Sequence, residues 1–259
     1  MTAGPVLVLG GTAEARRLAG ELLAHGVPVT SSLAGRVRRP RLPPGEVRVG
    51  GFGGPEGLAR WLREKGAAAV IDATHPFAKG IAATAAGGCR FAGTPLLRLA
   101  RPGWSAGPAD RWTWVEDLAE AAALVPALGS RVLLTTGRQG LPAFAAVRDA
   151  WFLVRCVDPP EPPLPPRHEL LLDRGPYTVG GELALIDANR IDLVVTKDSG
   201  GEHTAAKLEA ARLRGLPVLV ARRPLRPAGV AEVDSVERAL AWALARSRGE
   251  TGMEARPQG

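Results

Sequence analysis

The chain has 259 residues, 46% of them apolar, with a formal net charge of +7 and two cysteines. That length and apolar content give one large or two small globular domains with a sizeable core, which excludes a disordered chain. No apolar run approaches the roughly 18 residues of a membrane helix, and Cys89 and Cys156 stand too far apart for a metal motif, so neither a membrane span nor a metal site is expected.

The lysines are Lys65, Lys79, Lys197 and Lys207, so almost all the positive charge is arginine. Arginine is the better planar fork for carboxylate and phosphate. Neither a basic helix nor an aromatic-studded RNA motif is present, which favours a small polyanionic ligand over nucleic acid. The first strand starts almost at the N-terminus and leaves no room for a signal peptide, so a cytoplasmic protein with reduced, buried thiols is expected.

The predicted elements begin with Val6-Leu7-Val8-Leu9, a buried strand that breaks at Gly10-Gly11 and passes into a helix with Leu18, Leu22 and Leu23 on one face. Unpaired N–H groups and the helix dipole favour a phosphate at such a turn. The dinucleotide fingerprint is matched loosely, because Thr12 stands where a second glycine belongs and Ala15 takes the third place. The Thr12 hydroxyl is expected to bond a phosphate instead. An ordinary turn of an α/β protein is the alternative.

Val27 to Ser32 reads as the second strand. An NAD site would place an acid near its end to hold the ribose 2′-hydroxyl, but Thr30, Ser31, Ser32 and then Gly35-Arg36 stand there. Hydroxyls and an arginine suit a 2′-phosphate, so a dinucleotide bound here is NADP(H). Otherwise Arg36 opens a solvated basic loop with Arg38, Arg39 and Arg41.

A short strand at Val47–Val49 leads to Gly50-Gly51-Phe52-Gly53-Gly54, a run that calls for unusual backbone angles or close approach of a ligand. A helix carrying Leu58, Trp61 and Leu62 ends at Gly66. The strand Ala68–Asp72 then runs into Ala73-Thr74-His75-Pro76-Phe77-Ala78, a polar cluster at a strand's carboxyl end, where open α/β sheets bind ligands. Asp72 is read as a helix cap or as a partner orienting His75.

After the strand Pro95–Leu99, the chain is read as crossing over through Trp112–Val115 and an alanine-rich helix from Glu116 to Val125. A domain boundary is placed near Ser130, giving domains at 1–129 and 130–248 and a disordered tail at 249–259. The second series repeats the pattern. Strand Arg131–Leu134 ends in Thr135-Thr136-Gly137-Arg138, a helix is expected around Ala143–Val147, and strand Trp151–Arg155 follows. Six prolines between Pro159 and Pro166 make a stiff extended connection. A helix at Leu183–Ile186, strand Ile191–Val195 with Thr196-Lys197-Asp198-Ser199-Gly200-Gly201, a helix through Leu208, strand Pro217–Val220 and a last helix capped by Ser235 complete the chain. The expected fold is α/β, two Rossmann-like domains with mostly parallel sheets and a ligand cleft between them.

Four stretches together resemble precorrin-6A reductases of cobalamin biosynthesis: Gly10–Arg16, Asp72–Ala78, Thr135–Gly137, and Lys197–Gly201 followed by Lys207. Ser32–Arg36, the Gly50–Gly54 run, Arg174-Gly175-Pro176 and Arg223-Pro224 fit the same pattern, and Asp198 departs from it where asparagine is more usual. The resemblance implies NADPH-dependent reduction of one double bond of the precorrin-6A macrocycle, or of its cobalt-bearing counterpart, to precorrin-6B. It implies a polycarboxylate tetrapyrrole as the partner, and neither nucleic acid, membrane nor metal. On that reading Gly10, Gly11 and Thr12 cradle the pyrophosphate, Ser32 and Arg36 take the 2′-phosphate, and Thr74 and His75 lie near the nicotinamide. Arg138, Lys197 and Ser199 take substrate carboxylates, with His75 or Lys197 as proton donor. The alternatives are a tetrapyrrole methyltransferase using S-adenosylmethionine and a non-catalytic NADP-sensing module. A Tyr-x-x-x-Lys dehydrogenase is excluded, because Gly181 stands four residues after Tyr177, the only tyrosine.

Overall fold

The structure is a computed structural model and describes residues 4–35 and 41–247. Short strands, apolar and buried on both faces in the middle of each sheet and more exposed at the edge strands Glu46–Val49, Arg111–Val115 and His168–Leu172, pair side by side in two six-stranded sheets in which every pairing is parallel. The first sheet holds β1 (Val6–Leu9), β2 (Val29–Leu33), β3 (Glu46–Val49), β4 (Ala69–Asp72), β5 (Leu96–Leu99) and a sixth strand, Ala231–Val233. The second holds β6 (Arg111–Val115), β7 (Arg131–Leu134), β8 (Trp151–Cys156), β9 (His168–Leu172), β10 (Leu193–Lys197) and β11 (Pro217–Ala221), and the strand Ala231–Val233 of the first sheet is β12.

The orders are β3-β2-β1-β4-β5-β12 and β9-β8-β7-β10-β11-β6. Both are the doubly wound arrangement, in which the chain leaves the central pair in opposite directions. Each sheet takes its sixth strand from outside its own run. β6 precedes β7 yet pairs with β11, and β12 follows β11 yet pairs with β5. The compact units are therefore Met1–Arg101 with Pro224–Gly259, and Pro102–Arg223. The boundary expected at 130 falls inside the second unit, because β6 and helix α4 (Leu118–Leu128) belong to its sheet and wall. The tail expected at 249–259 lies outside the described residues.

Helices cover the first sheet on both faces, as strand alternation requires. Val6 and Val8 pack with Leu18 and Leu22 of α1 (Ala13–Ala24) and Trp242 of α7 (Val236–Ser247). Leu7 and Leu9 pack with Leu58 and Leu62 of α2 (Gly54–Lys65) and Ala85 of α3 (Lys79–Ala92). In the second unit Leu133, Leu153 and Val194 pack with Ile186 of α5 (Val179–Asn189) and Leu208 of α6 (Ala206–Leu213). Ser235 accepts the Arg238 N–H at the start of α7, as expected of its cap.

Three local expectations change. Trp112–Val115 is strand β6 rather than a connection, and β9 was missed because it is an edge strand whose Leu170 and Leu172 stay exposed. In place of a helix at 143–147 there is a 3-10 turn at Arg138–Phe144, shortened by the internal Pro142 and anchored by buried Phe144 against Phe152. Among the described residues no helix is long and apolar enough to cross a membrane, and no cluster of histidine, cysteine and acidic groups fits a metal ion.

Candidate active site at two strand-order switch points

In the first sheet the strand order reverses between β1 and β4, and the residues following those strands frame the gap. Gly11 has φ of 128°, and a side chain there would meet nothing within 4 Å, so the turn is open backbone aimed outward. Gly10 differs. Its N–H donates to Ser32 O, and a Cβ would press on Ala15 at 3.0 Å, so it serves close helix packing. Thr12 is the N-cap of α1. Its Oγ1 accepts the Ala15 N–H at 3.1 Å and spends its one proton on the Ala73 carbonyl at 2.9 Å, stitching β1 to β4. The hydroxyl expected for phosphate is committed to the fold, which leaves the backbone N–H groups of the turn for an anion.

On the far side of the gap, Asp72 neither caps a helix nor orients His75. Helix α3 has Ala78 at its N-cap with no side-chain bond. The Asp72 carboxylate instead accepts the Thr74 N–H at 3.0 Å and the Thr74 hydroxyl at 2.6 Å, and pairs with buried Arg98. Thr74 is thereby fixed. His75 Nδ1 accepts the Phe77 N–H at 3.3 Å, so a neutral ring carries its proton on Nε2. Glu14 and Arg101 close the same hollow, with both carboxylate oxygens 3.0 Å from Arg101 Nη1. Burial opposes the Glu14 charge, but the helix-end N–H and the Arg101 guanidinium prevail and hold its carboxyl below the usual range.

The β2 end has no acid. Ser32 is buried, and its hydroxyl accepts Arg48 Nη1 at 2.9 Å, Arg48 being its register partner on β3. The Arg48 guanidinium also holds the Gly50 and Gly51 carbonyls at 3.0 Å and lies 3.7 Å over the Phe52 ring. Ser31 Oγ, two per cent exposed by residue, has no hydrogen-bond partner among the described residues. Arg36 lies outside the described residues. Open Gly11, side-chain-free glycines at 50, 51 and 53, and the hydroxyls at the β2 end suit a phosphorylated nucleotide.

In the second sheet the order reverses between β7 and β10; Arg138 follows β7, Lys197 is the last residue of β10 and Ser199 lies just beyond it. Gly137 and Gly201 both adopt φ near 70° with extended ψ (72° and 166°, 73° and 162°), a conformation essentially confined to glycine. Burial lowers the Lys197 pKa, and Ser199 Oγ donates to its carbonyl at 3.2 Å. Asp198 is a keystone. It accepts the Trp104 N–H at 3.0 Å and pairs with Arg223 Nε at 3.0 Å. A Cβ on Gly200 would strike Pro102 O at 2.1 Å, so the Lys197–Gly201 run is sealed against the chain around 102–104. A separate hollow of about 370 Å³, lined by Ala122, Pro126 and Ala146, holds none of the expected site residues.

Sequence reading missed Arg48, Arg98, Arg101 and the buried pair of Arg155 with Glu182. Arg98 and Arg155 carried a signal, since each interrupts an apolar strand at a position that faces inward.

A family model described as precorrin-6x reductase CbiJ/CobK matches residues 5–244. The chain is 53% identical to the precorrin-6A reductase of Rhodococcus erythropolis over 238 residues, covering 92% of this chain and 96% of that one. It is 57% identical to the precorrin-6A reductase of Mycobacterium tuberculosis over 239 residues, with the same coverage. The cobalt-precorrin-6A reductase of Salmonella typhimurium is 30% identical, covering 86% and 89%. A solved structure, CobK precorrin-6A reductase, superposes with a TM-score of 0.88 at 43% identity, over 94% of this chain and 97% of that one.

Proposed function

Since this chain belongs to the precorrin-6x reductase family of cobalamin biosynthesis, we propose that it reduces one double bond of metal-free precorrin-6A with NADPH, giving precorrin-6B. The observation that carries the reading is the placement of the motif residues. The Gly11 turn and Thr74-His75 flank one switch point, and Arg138, Lys197 and Ser199 stand at or just beyond the carboxyl ends of the strands that flank the other. Higher identity to proteins named for the metal-free substrate, 53% and 57% against 30%, favours that substrate.

The nicotinamide, when bound, supplies the hydride. The chain holds the donor through the backbone N–H groups at Gly11 and Thr12, and through Ser32, Arg36 and Arg48 at the 2′-phosphate. Thr74, pinned by Asp72, and His75 line the nicotinamide end. Arg138, Lys197 and Ser199 take rim carboxylates of the macrocycle. The carbon next to the hydride acceptor needs a proton, and two groups suit it: the Lys197 ammonium, made more acidic by burial, and His75 in its imidazolium form, which gives up the Nδ1 contact with the Phe77 N–H.

Mixing the protein with NADPH and precorrin-6A tests the reading. Nicotinamide absorbance falls in step with a product two hydrogens heavier, faster than with the cobalt-bearing substrate. Absorbance that stays constant with authentic precorrin-6A rejects the reductase assignment.

A further inference from the structure

Lys207, in the first turn of α6, is only 3% exposed. Its Nζ donates to the Thr204 carbonyl at 2.6 Å and lies 4.7 Å from the centroid of the Trp104 ring. Trp104 is tied to the same loop, since its Nε1 donates to the Gly201 carbonyl at 3.1 Å and its backbone N–H to Asp198 Oδ1 at 3.0 Å. The stretch from Lys197 to α6 is therefore held at Asp198, Gly201 and Thr204. The lysine side chain grips Thr204 directly and lies against the indole that holds Gly201, while Asp198 is held by the backbone N–H of the same tryptophan.

An apolar side chain of the same length would fill this space without burying an ammonium. It would lack a donor for Thr204 O and a charge for the indole face. We propose that Lys207 is a positioning residue for the reduction: clamped between the Thr204 carbonyl and the Trp104 ring, it fixes the Asp198–Thr204 loop so that Lys197 and Ser199 are presented to the substrate's carboxylates. The inference rests on the substrate reading of Lys197 and Ser199 given above.

The charged groups that act on Lys207 are Arg155 on β8 and Glu182 on α5, which pair at 2.6 Å with Arg155 also 3.9 Å over the Tyr177 ring. Burial first, and then the Arg155 charge, bring Lys207 down to about 7 against the pull of Glu182. The clamp thus changes charge near neutral pH. The free amine keeps a hydrogen for Thr204 O but loses its attraction to the indole.

The test uses the full chain with Lys207→Met and Lys207→Arg. It measures kcat/KM for precorrin-6A from pH 6 to 9, the KM for NADPH, and amide hydrogen exchange across Asp198–Thr204. Lys207→Met is expected to speed exchange in that loop and to lower kcat/KM for the macrocycle by about tenfold while the NADPH KM stays put. Wild-type activity is expected to decline as pH rises through about 7 relative to Lys207→Arg, which keeps its charge. Unchanged loop exchange in folded Lys207→Met overturns the clamp. Faster exchange with unaltered kinetics leaves the clamp standing and overturns the substrate-facing reading of the loop. An identical pH profile for wild type and Lys207→Arg removes the charge from the argument.

Discussion

Asp72 and Arg98 are register partners on the adjacent strands β4 and β5, and their side chains form an ion pair at 3% and 10% exposure. The pair fixes Thr74 through the second carboxylate oxygen, so a charge buried for structure sets the geometry of a site residue. Arg98→Met strands the carboxylate without a counter-charge, which costs about 3–5 kcal/mol in a buried setting. Urea unfolding of the variant measures it, and Asp72→Asn in the same background is expected to return part of the loss. A change under about 1 kcal/mol for Arg98→Met contradicts this account.

Arg48 is expected to discriminate between the two nicotinamide dinucleotides. Its guanidinium is preset by Phe52, Ser32 and two loop carbonyls at the end of β3, with no acid at the end of β2. Arg48→Met should weaken NADPH by about tenfold, the worth of one charge-assisted contact, and leave NADH nearly unchanged. Arg36→Glu should act in the same direction. Fluorescence titration of both dinucleotides decides the matter, and equal losses for the two refute a 2′-phosphate contact.

His75 is expected to act on turnover more than on binding. His75→Ala should cut kcat by about a hundredfold, the low end for a lost proton donor, with the NADPH Kd close to wild type. Lys197→Met is the companion variant, expected to raise the KM for precorrin-6A. If His75→Ala turns over at the wild-type rate, the ring serves only the local backbone through Phe77.

The buried lysine also predicts how stability responds to pH. Lys207 titrates at about 7 in the fold, against an ordinary lysine value of 10.5 in the unfolded chain. Between those values the unfolded state binds more protons, so stability rises with pH and the cost of the buried ammonium, full below about 7, is progressively relieved. Lys207→Met lacks that cost. Its stability advantage over wild type should shrink by about 3 kcal/mol between pH 6 and 9, as measured by denaturant titration. An advantage that does not change with pH would mean that Lys207 titrates as an exposed lysine does.

Much of the fold was legible along the chain. Apolar runs of four to six residues ending in Gly10-Gly11, Asp72, Thr135 or Lys197 announce parallel strands, and strand ends in such sheets are where polar groups gather. Those signals are local, so composition and spacing marked the glycine turn and Thr74-His75 as candidates, whereas Lys197–Ser199 drew its weight from the family resemblance. What sequence could not supply was any relation between distant strands. β6 joins the sheet that follows it and β12 the sheet that precedes it, because pairing is settled by which edge remains open after the rest has packed. The same holds for side-chain commitments. Thr12 gives its proton to Ala73, Asp72 faces Arg98 and Lys207 meets Trp104, and each is a contact between residues at least 26 positions apart that exists only once the chain has closed.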